Sequence, residues 1–571
     1  MLKRPSRVSG LSSLSESLAR ACSRANLHGS LSVFGALSVA AITACSSGAG
    51  SEGARANGEA VTAAATPGQI ADGRNTWLTS TFGGEKFFSL ILPSAPFSLP
   101  LGFAQVLTTP RAQRFTTWGV INDPDCTDGD ATTGGLDKCP DPTATGVVGV
   151  RKGPDPTGKN PFLIGVACAG CHAGLDPQNP PADPNKPAWS NIHLTTGNQY
   201  LNSGKLFAAN LSPHDPRAAV FGTWAPGTVD TTAIESDGIN NPGIITQFYD
   251  FPDRPYFTNH YQGAAESVHR AGQGGEDDSG CQRAALRVYF NIGMCAAECM
   301  VPHLANGPGG SQTPIDLTEC EQVCPDLVAA ETAVANECAF INDAASTPAP
   351  SLAAAPGGSA FINTDLARQG AAVYESSCAS CHSNGNREAA HDILSDDLLH
   401  RATGFNAFIG EPAGSVGTNE CRSLTTNWLT GHIWEQFSSD ELKARGPGWY
   451  RDVPLRGIWA TAPFFHNNRL GPYSGDSSVR GRVAAFEAAM SLLLNPWERD
   501  FAGSVQVTQT TIALPNGLTL PAGTPVALFA NLDQSTGKLR CGDLIENGGH
   551  YFGSLLFPSQ KAALTEYLKT L

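Results

Sequence analysis

Residues 166–174 read VACAGCHAG, and residues 377–382 read SCASCH. Each stretch holds two cysteines separated by two small residues, with a histidine directly after: Cys168, Cys171 and His172, then Cys378, Cys381 and His382. A Cys-x-x-Cys pair can hold zinc, cycle as a dithiol, close as a small disulfide or carry a covalent haem. Zinc needs further ligands in step, and a thioredoxin-like dithiol needs no histidine at that place and opens a βαβ unit, which neither stretch does. Haem attachment uses every part of the pattern. Each thiol adds to a vinyl group, the small residues let the loop approach the porphyrin edge, and the histidine brings Nε2 to the iron. Chance would give ~0.01 such matches in a chain of this composition, and there are two. Two covalently attached haem c groups are expected, on Cys168 and Cys171 and on Cys378 and Cys381, with His172 and His382 as proximal ligands.

The elements that must position these residues are legible in outline. The motif starts lie 210 residues apart, far more than one minimal haem domain needs. Residues 344–359 (AASTPAPSLAAAPGGS) read as a linker. Residues 366–377 (LARQGAAVYESS) read as an amphipathic helix running into the second motif, and residues 558–571 (PSQKAALTEYLKTL) as a terminal helix with Pro at its start. A helix before the motif and a helix at the end is the plan of a small cytochrome c domain. The first motif is flanked by loop signals, DPTGKNPF and LDPQNPPADPNKPAW, and no repeat is found beyond the two motifs. With 61 Gly, 40 Pro and 16% charged residues among 571, the expected fold class is mainly α with long irregular loops, in two cytochrome c-like haem domains. These are residues 71–343, with a disulfide-stapled helical insert, and residues 360–571.

Lys3, Arg4 and Arg7 precede an apolar run, LSVFGALSVAAITA (31–44), that stops at Cys45. The pattern reads as a lipoprotein signal, residues 1–45, with Cys45 lipidated; an ordinary cleaved signal peptide is the alternative. The run is too short to span a bilayer comfortably. Both readings export the chain, to the periplasm or cell surface with an outer-membrane lipid anchor, or as a secreted protein. Residues 46–70 read as a flexible tether. The formal net charge is −15, a poor match to nucleic acid or anionic lipid, so membrane contact is expected only through Cys45. Of 16 cysteines, ten belong neither to the signal nor to the motifs: Cys126, Cys139, Cys281, Cys295, Cys299, Cys320, Cys324, Cys338, Cys421 and Cys541. An even number in an oxidising compartment suggests up to five disulfides. Cys295 and Cys299, like Cys320 and Cys324, are one helical turn apart, so antiparallel helices can be stapled as Cys295–Cys324 and Cys299–Cys320. Zinc is the alternative for these four, with His303 the only histidine nearby.

Two such motifs in one exported chain resemble the di-haem cytochrome c peroxidase and MauG superfamily, and PLRGIWATAPFFHN (454–467) is similar to its TAPYFHDG motif. A wider likeness runs through INDPDC (121–126), PFLIGVACAGCHAGLDPQNPPADPNKPAWSNI (161–192), GNQY (197–200), VDTTAIESDGINNPG (229–243), RVYFNIGMC (287–295) and NGGHYFG (547–553). These resemble the rubber oxygenase group, di-haem dioxygenases that cleave poly(cis-1,4-isoprene). One scaffold hosts several chemistries, so the likeness bears on architecture more than on substrate.

The sixth position of each iron decides its use: two strong protein ligands make an electron carrier, an open face binds O₂ or peroxide. For the second haem, His550 stands in a glycine-rich turn that can approach a porphyrin closely, and the resemblance makes the matching late histidine the distal ligand. His466 matches a histidine near the inter-haem region. Met490 falls where the peroxidases place a distal methionine if residues 469–478 are an insertion; plain core packing is its alternative. For the first haem the resemblance puts residues 285–294 (ALRVYFNIGM) at the distal pocket, with Phe290 close to bound O₂; its alternative is simple core. Glu276, Asp277 and Asp278 are the acids that peroxide heterolysis would want, though GEDDSG reads as a solvated loop. The resemblance also implies Ca²⁺ at the Thr461 and Pro463 carbonyls with Asn198. Trp189 and Trp459 are either electron bridges or core aromatics. The expected function is a rubber oxygenase-like dioxygenase or a peroxidase, acting on a small or polymeric hydrophobic substrate with O₂ or H₂O₂. A redox partner protein, as in a MauG-like role, is one extension; the alternative is an electron-transfer cytochrome c without catalytic activity.

Overall fold

A computed structural model describes residues 65–230, 239–249, 280–305, 311–343, 345–382, 399–401, 417–422, 433, 449–451, 455–514, 517–533 and 536–571. Helices supply most of the regular structure, and the strands form two-stranded antiparallel pairs. The fold is mainly α with long irregular connections. No described helix is long and apolar enough to cross a membrane.

From residue 64 onward the chain packs as one unit, and its buried apolar side chains fall into two main clusters. The first draws on Trp77, Phe87, Phe103, Tyr289, Phe290 and Phe340; the second on Leu352, Tyr374, Trp459, Phe486, Met490 and Leu564. Each is built round a helix pair. In the first, Pro67–Thr79 packs on Pro325–Asn342; in the second, Thr364–Ser377 packs on Pro558–Leu568. Small residues let the axes approach: a Cβ on Gly73 would collide with the Asn336 carbonyl, and one on Gly370 with that of Ala563.

Local chemistry explains the helix starts. Thr66 caps the first helix, its Oγ1 accepting from the Gln69 amide at 3.3 Å while Gln69 Oε1 accepts from the Thr66 amide at 2.9 Å. This capping box, with Pro67 at the first helical position, begins helix inside the expected tether of residues 46–70. Asn363 caps the helix before the second motif. The expected linker, 344–359, carries two short 3₁₀ turns, and its Leu352 and Ala355 are buried in the second cluster; apolar residues in a Pro/Ala-rich run are enough to dock it.

The ten cysteines outside both the motifs and the signal segment pair: Cys126–Cys139, Cys281–Cys338, Cys295–Cys324, Cys299–Cys320 and Cys421–Cys541. The two middle bridges join as the helical spacing suggests. Only short elements carry them, a single π turn Ala296–Met300 and the helix Leu317–Val323.

Polar contacts join the two clusters. Arg482, buried, donates to the carbonyls of Ser477 (3.2 Å), Ala460 (3.1 Å) and Leu175 (3.0 Å). Tyr200 donates to the Asp476 carbonyl at 3.3 Å, and the Ile244 amide to that of His466 at 2.6 Å.

Candidate functional site

The first motif follows a hairpin. Strand Leu163–Val166 pairs with Val150–Gly153 and delivers Cys168, after which Ala169–His172 makes one helical turn closed by the His172 amide on the Cys168 carbonyl at 3.0 Å. The Gly197 amide binds the His172 carbonyl (2.8 Å) and the Asn198 amide that of Cys171 (2.9 Å). The GNQY stretch thus caps the motif turn. His172 is buried, and its Nδ1 donates to the Thr246 carbonyl at 2.9 Å. That bond puts the ring's lone pair on Nε2, the tautomer a metal-ligating imidazole needs. Burial pulls its pKa down to about 4, only partly offset by the Thr246 bond, so the ring is neutral at pH 7.

Cys168 and Cys171 are unpaired thiols. Burial, then the nearby Glu337 carboxyl, pushes the Cys168 pKa up, and burial lifts Cys171 to about 11. A dithiol redox pair needs the opposite shift. The only His/Cys/Asp/Glu cluster of metal-binding spacing among the described residues is Cys295, Cys299 and Cys320, which are spent on disulfides. Neither dithiol nor zinc chemistry therefore suits Cys168 and Cys171.

The thiols and His172 line a cavity of about 110 Å³. Its walls are mostly apolar, including Phe88, Phe103, Leu206, Phe207, Val288 and Ile292. Ser203, Asn291 and the buried Arg422 supply polar groups. Among the described lining residues there is no second histidine, no methionine and no carboxylate. Phe290 is fully buried in the first cluster and is not among them; its helix, Gly280–Asn291, turns Val288 and Asn291 to the cavity instead. Successive helical residues are rotated by about 100°, so its neighbours face the cavity while Phe290 faces the core.

The second motif sits at the end of the helix Thr364–Ser377. The His382 amide binds the Cys378 carbonyl at 2.9 Å, and Tyr374 donates to the His382 carbonyl at 3.1 Å. The Cys381 side chain lies outside the described residues. The His382 ring faces His550, with centroids 6.1 Å apart and planes inclined 39°. His550 has φ 48°, unusual for a residue with a side chain. Its turn is held by Arg499, which donates to the Asn547 (3.0 Å) and Gly549 (2.7 Å) carbonyls and to Leu492 (2.9 Å) and Leu493 (3.1 Å) at the end of helix Val479–Leu494. Met490 is buried in the second cluster. His466 lies beside Arg422 at the seam; burial, then that cation, lowers its pKa to about 3.

The remaining expected residues divide. Asn198 spends its side chain locally, donating to the Gly119 carbonyl (2.7 Å) and accepting from the Tyr200 amide (3.1 Å). The 3₁₀ turn Ile458–Ala460 just before Thr461 instead gives its Ala460 carbonyl to the Arg482 guanidinium. Trp459 is fully buried and donates to the Pro350 carbonyl, whereas Trp189 is half-buried and donates to Asp125 Oδ1 at 2.8 Å. Glu276, Asp277 and Asp278 lie outside the described residues. Sequence reasoning missed Thr246, Arg422, Tyr289 and Glu337. The last two form a buried pair: Tyr289 donates to Glu337 Oε2 at 2.7 Å, and Cys168 Sγ lies 3.3 Å from Glu337 Oε1. Neither a protein-family model nor a curated protein matches the chain.

Proposed function

We propose that this chain is an exported di-haem c-type cytochrome and an oxidoreductase, its first haem reactive toward O₂ and its second an electron-transfer centre. One observation carries the reading. The cavity at the first motif offers a single imidazole, His172, and no second strong iron ligand among its described lining residues, whereas His382 at the second motif faces His550 at 6.1 Å. That separation leaves room for one metal ion between the two rings, so His382 and His550 are the residues that would hold the second haem's iron. His550 is therefore its proposed distal ligand. The burial of Met490 in the core and the seat of His466 beside Arg422 argue against the other two.

Haem, when bound, supplies one-electron redox chemistry and O₂ activation. The chain's residues do the rest. Cys168 and Cys171 fix the group covalently, and Thr246 fixes the tautomer and plane of His172. Phe88, Phe103, Leu206, Val288 and Ile292 exclude water and favour an apolar substrate. No carboxyl stands among the described lining residues, and peroxide heterolysis wants a general acid, so this reading takes O₂ first. The likeness to the rubber oxygenase group adds a polymeric isoprene as the first substrate to try.

Visible and EPR spectra of the isolated protein test the reading. We expect one low-spin bis-histidine iron and one iron that binds CO or holds O₂. Two low-spin irons indifferent to both gases would leave a plain electron carrier. Incubation with polyisoprene should then release carbonyl-ended oligomers, while a dye assay with H₂O₂ reports peroxidase activity.

A further inference from the structure

Glu337 has no part in attachment or ligation, yet it touches the first motif. It is 1% exposed, and its Oε1 lies 3.3 Å from Cys168 Sγ while Oε2 accepts from Tyr289 at 2.7 Å. Were Cys168 a thioether, its sulfur would have no proton to give, and Oε1 would lie beside the attachment point of the group. Of the elements packed round the carboxyl, helix Gly280–Asn291 carries the buried Arg287, which takes no part in the carboxyl's shift. Helix Pro67–Thr79 turns Gly73, Thr76 and Trp77 inward, helix Gly280–Asn291 brings Tyr289, and the motif turn brings Cys168, with Cys171 and His172 beyond. No ion pair to Glu337 is found among the described residues. Burial raises its pKa to about 7, and the interactions pulling it back are those with Tyr289 and Cys168. The Tyr289 hydroxyl is itself pushed well above its ordinary pKa, first by burial, and stays a donor. In so dry a place, negative charge added to an adjacent group is costly unless a proton accompanies it.

We propose that Glu337 is the proton acceptor coupled to the first haem, taking up one proton for each electron that haem receives, with Tyr289 holding the carboxylate in place. The inference rests on the haem reading of the first motif. An external one-electron reductant supplies the electron and water supplies the proton. An O–H bond forms on the Glu337 carboxylate, and both electron and proton depart on reoxidation. No bond to the haem is made or broken.

The experiment is a spectroelectrochemical titration of the holoprotein from about pH 5 to about pH 9, a range that spans this carboxyl's shifted titration. With the Cys168 thiol donor lost to the thioether, the carboxyl titrates above neutrality, and there the oxidised-to-reduced equilibrium of the first haem should shift about tenfold per pH unit in the wild type, the signature of one proton per electron. In Glu337→Gln that dependence should vanish at the first haem and leave the second unchanged. Tyr289→Phe removes a donor to the carboxylate, so it should move the dependent window to higher pH; this serves if Glu337→Gln does not accumulate. A flat wild-type profile, or a slope that survives in Glu337→Gln, overturns the proposal. Failure of the underlying reading looks different: a haem-stained denaturing gel would show no covalent haem, before any titration.

Discussion

A single side chain can decide whether a ligand is presented. His550 sits in a left-handed backbone conformation that costs of order 1–3 kcal/mol and persists only where its surroundings impose it. Arg499 is what imposes it, because its four hydrogen bonds tie the Asn547–Gly549 turn to the end of the helix Val479–Leu494. Bonds from a charged donor are worth roughly 1.5–3 kcal/mol each, though not additively. Arg499→Gln should therefore cost about 3 kcal/mol of stability and release His550. The measurement is EPR with CO titration: part of the low-spin signal at the second site should become high-spin and CO-reactive. An unchanged low-spin spectrum would remove His550 from the ligand set. At this scale the six motif positions stood out in the sequence, because their strict spacing admits few chemistries. Glu337 was not: it is 169 positions from Cys168, and a glutamate in a helical run reads the same whether it faces solvent or core.

Elements were legible where the signal was local and lost where it was not. The helices before the second motif and at the chain end begin at a capping residue and a proline, and the cysteine pairs one turn apart foretold two bridges. Helix Pro67–Thr79 was lost in the tether, although TPGQ (66–69) spells its capping box, because Ala/Gly-rich neighbours mask a short signal. The resemblance put Phe290 at the distal pocket, whereas in the structure it is buried in the first cluster and is not among the cavity's lining residues. The paired bridges have a measurable consequence. They tie the Ala296–Met300 turn to the Leu317–Val323 helix, and both are too short to hold helical structure unaided. The Cys299–Cys320 bridge closes 21 residues, worth about 3 kcal/mol by loop entropy. Cys299→Ser with Cys320→Ser should lower denaturant stability by about that amount and loosen Glu337's neighbour Tyr289, which lies on the preceding helix. Hydrogen exchange across Gly280–Asn291 should rise; unaltered protection there would confine the bridges' role to their own loop.

For the molecule as a whole, the question is why two core clusters with separate helix pairs behave as one unit. Composition and spacing suggested two haem-bearing halves, but the contacts that join them are long-range and polar, and nothing in local sequence announces them. Arg482 is central. The residue is 5% exposed, and its guanidinium lies 5.3 Å over the Tyr200 ring and binds one carbonyl from each side of the seam, Leu175 and Ala460, besides Ser477. A buried cation spread over three carbonyls and an aromatic face has exchanged water for fixed dipoles, so its removal strands acceptors on both sides. Arg482→Met keeps the apolar stem and deletes the donors. It should cost about 3 kcal/mol, and the loss should fall on the coupling more than on either core. Unfolding followed separately at the two haems should then split, the first-motif and second-motif absorbances losing their common midpoint. If the midpoints stay together while stability falls, the coupling resides elsewhere, in the Tyr200–Asp476 and Ile244–His466 contacts. If neither changes, the seam is held by apolar packing alone, and the two halves should then separate only when those buried side chains are cut back.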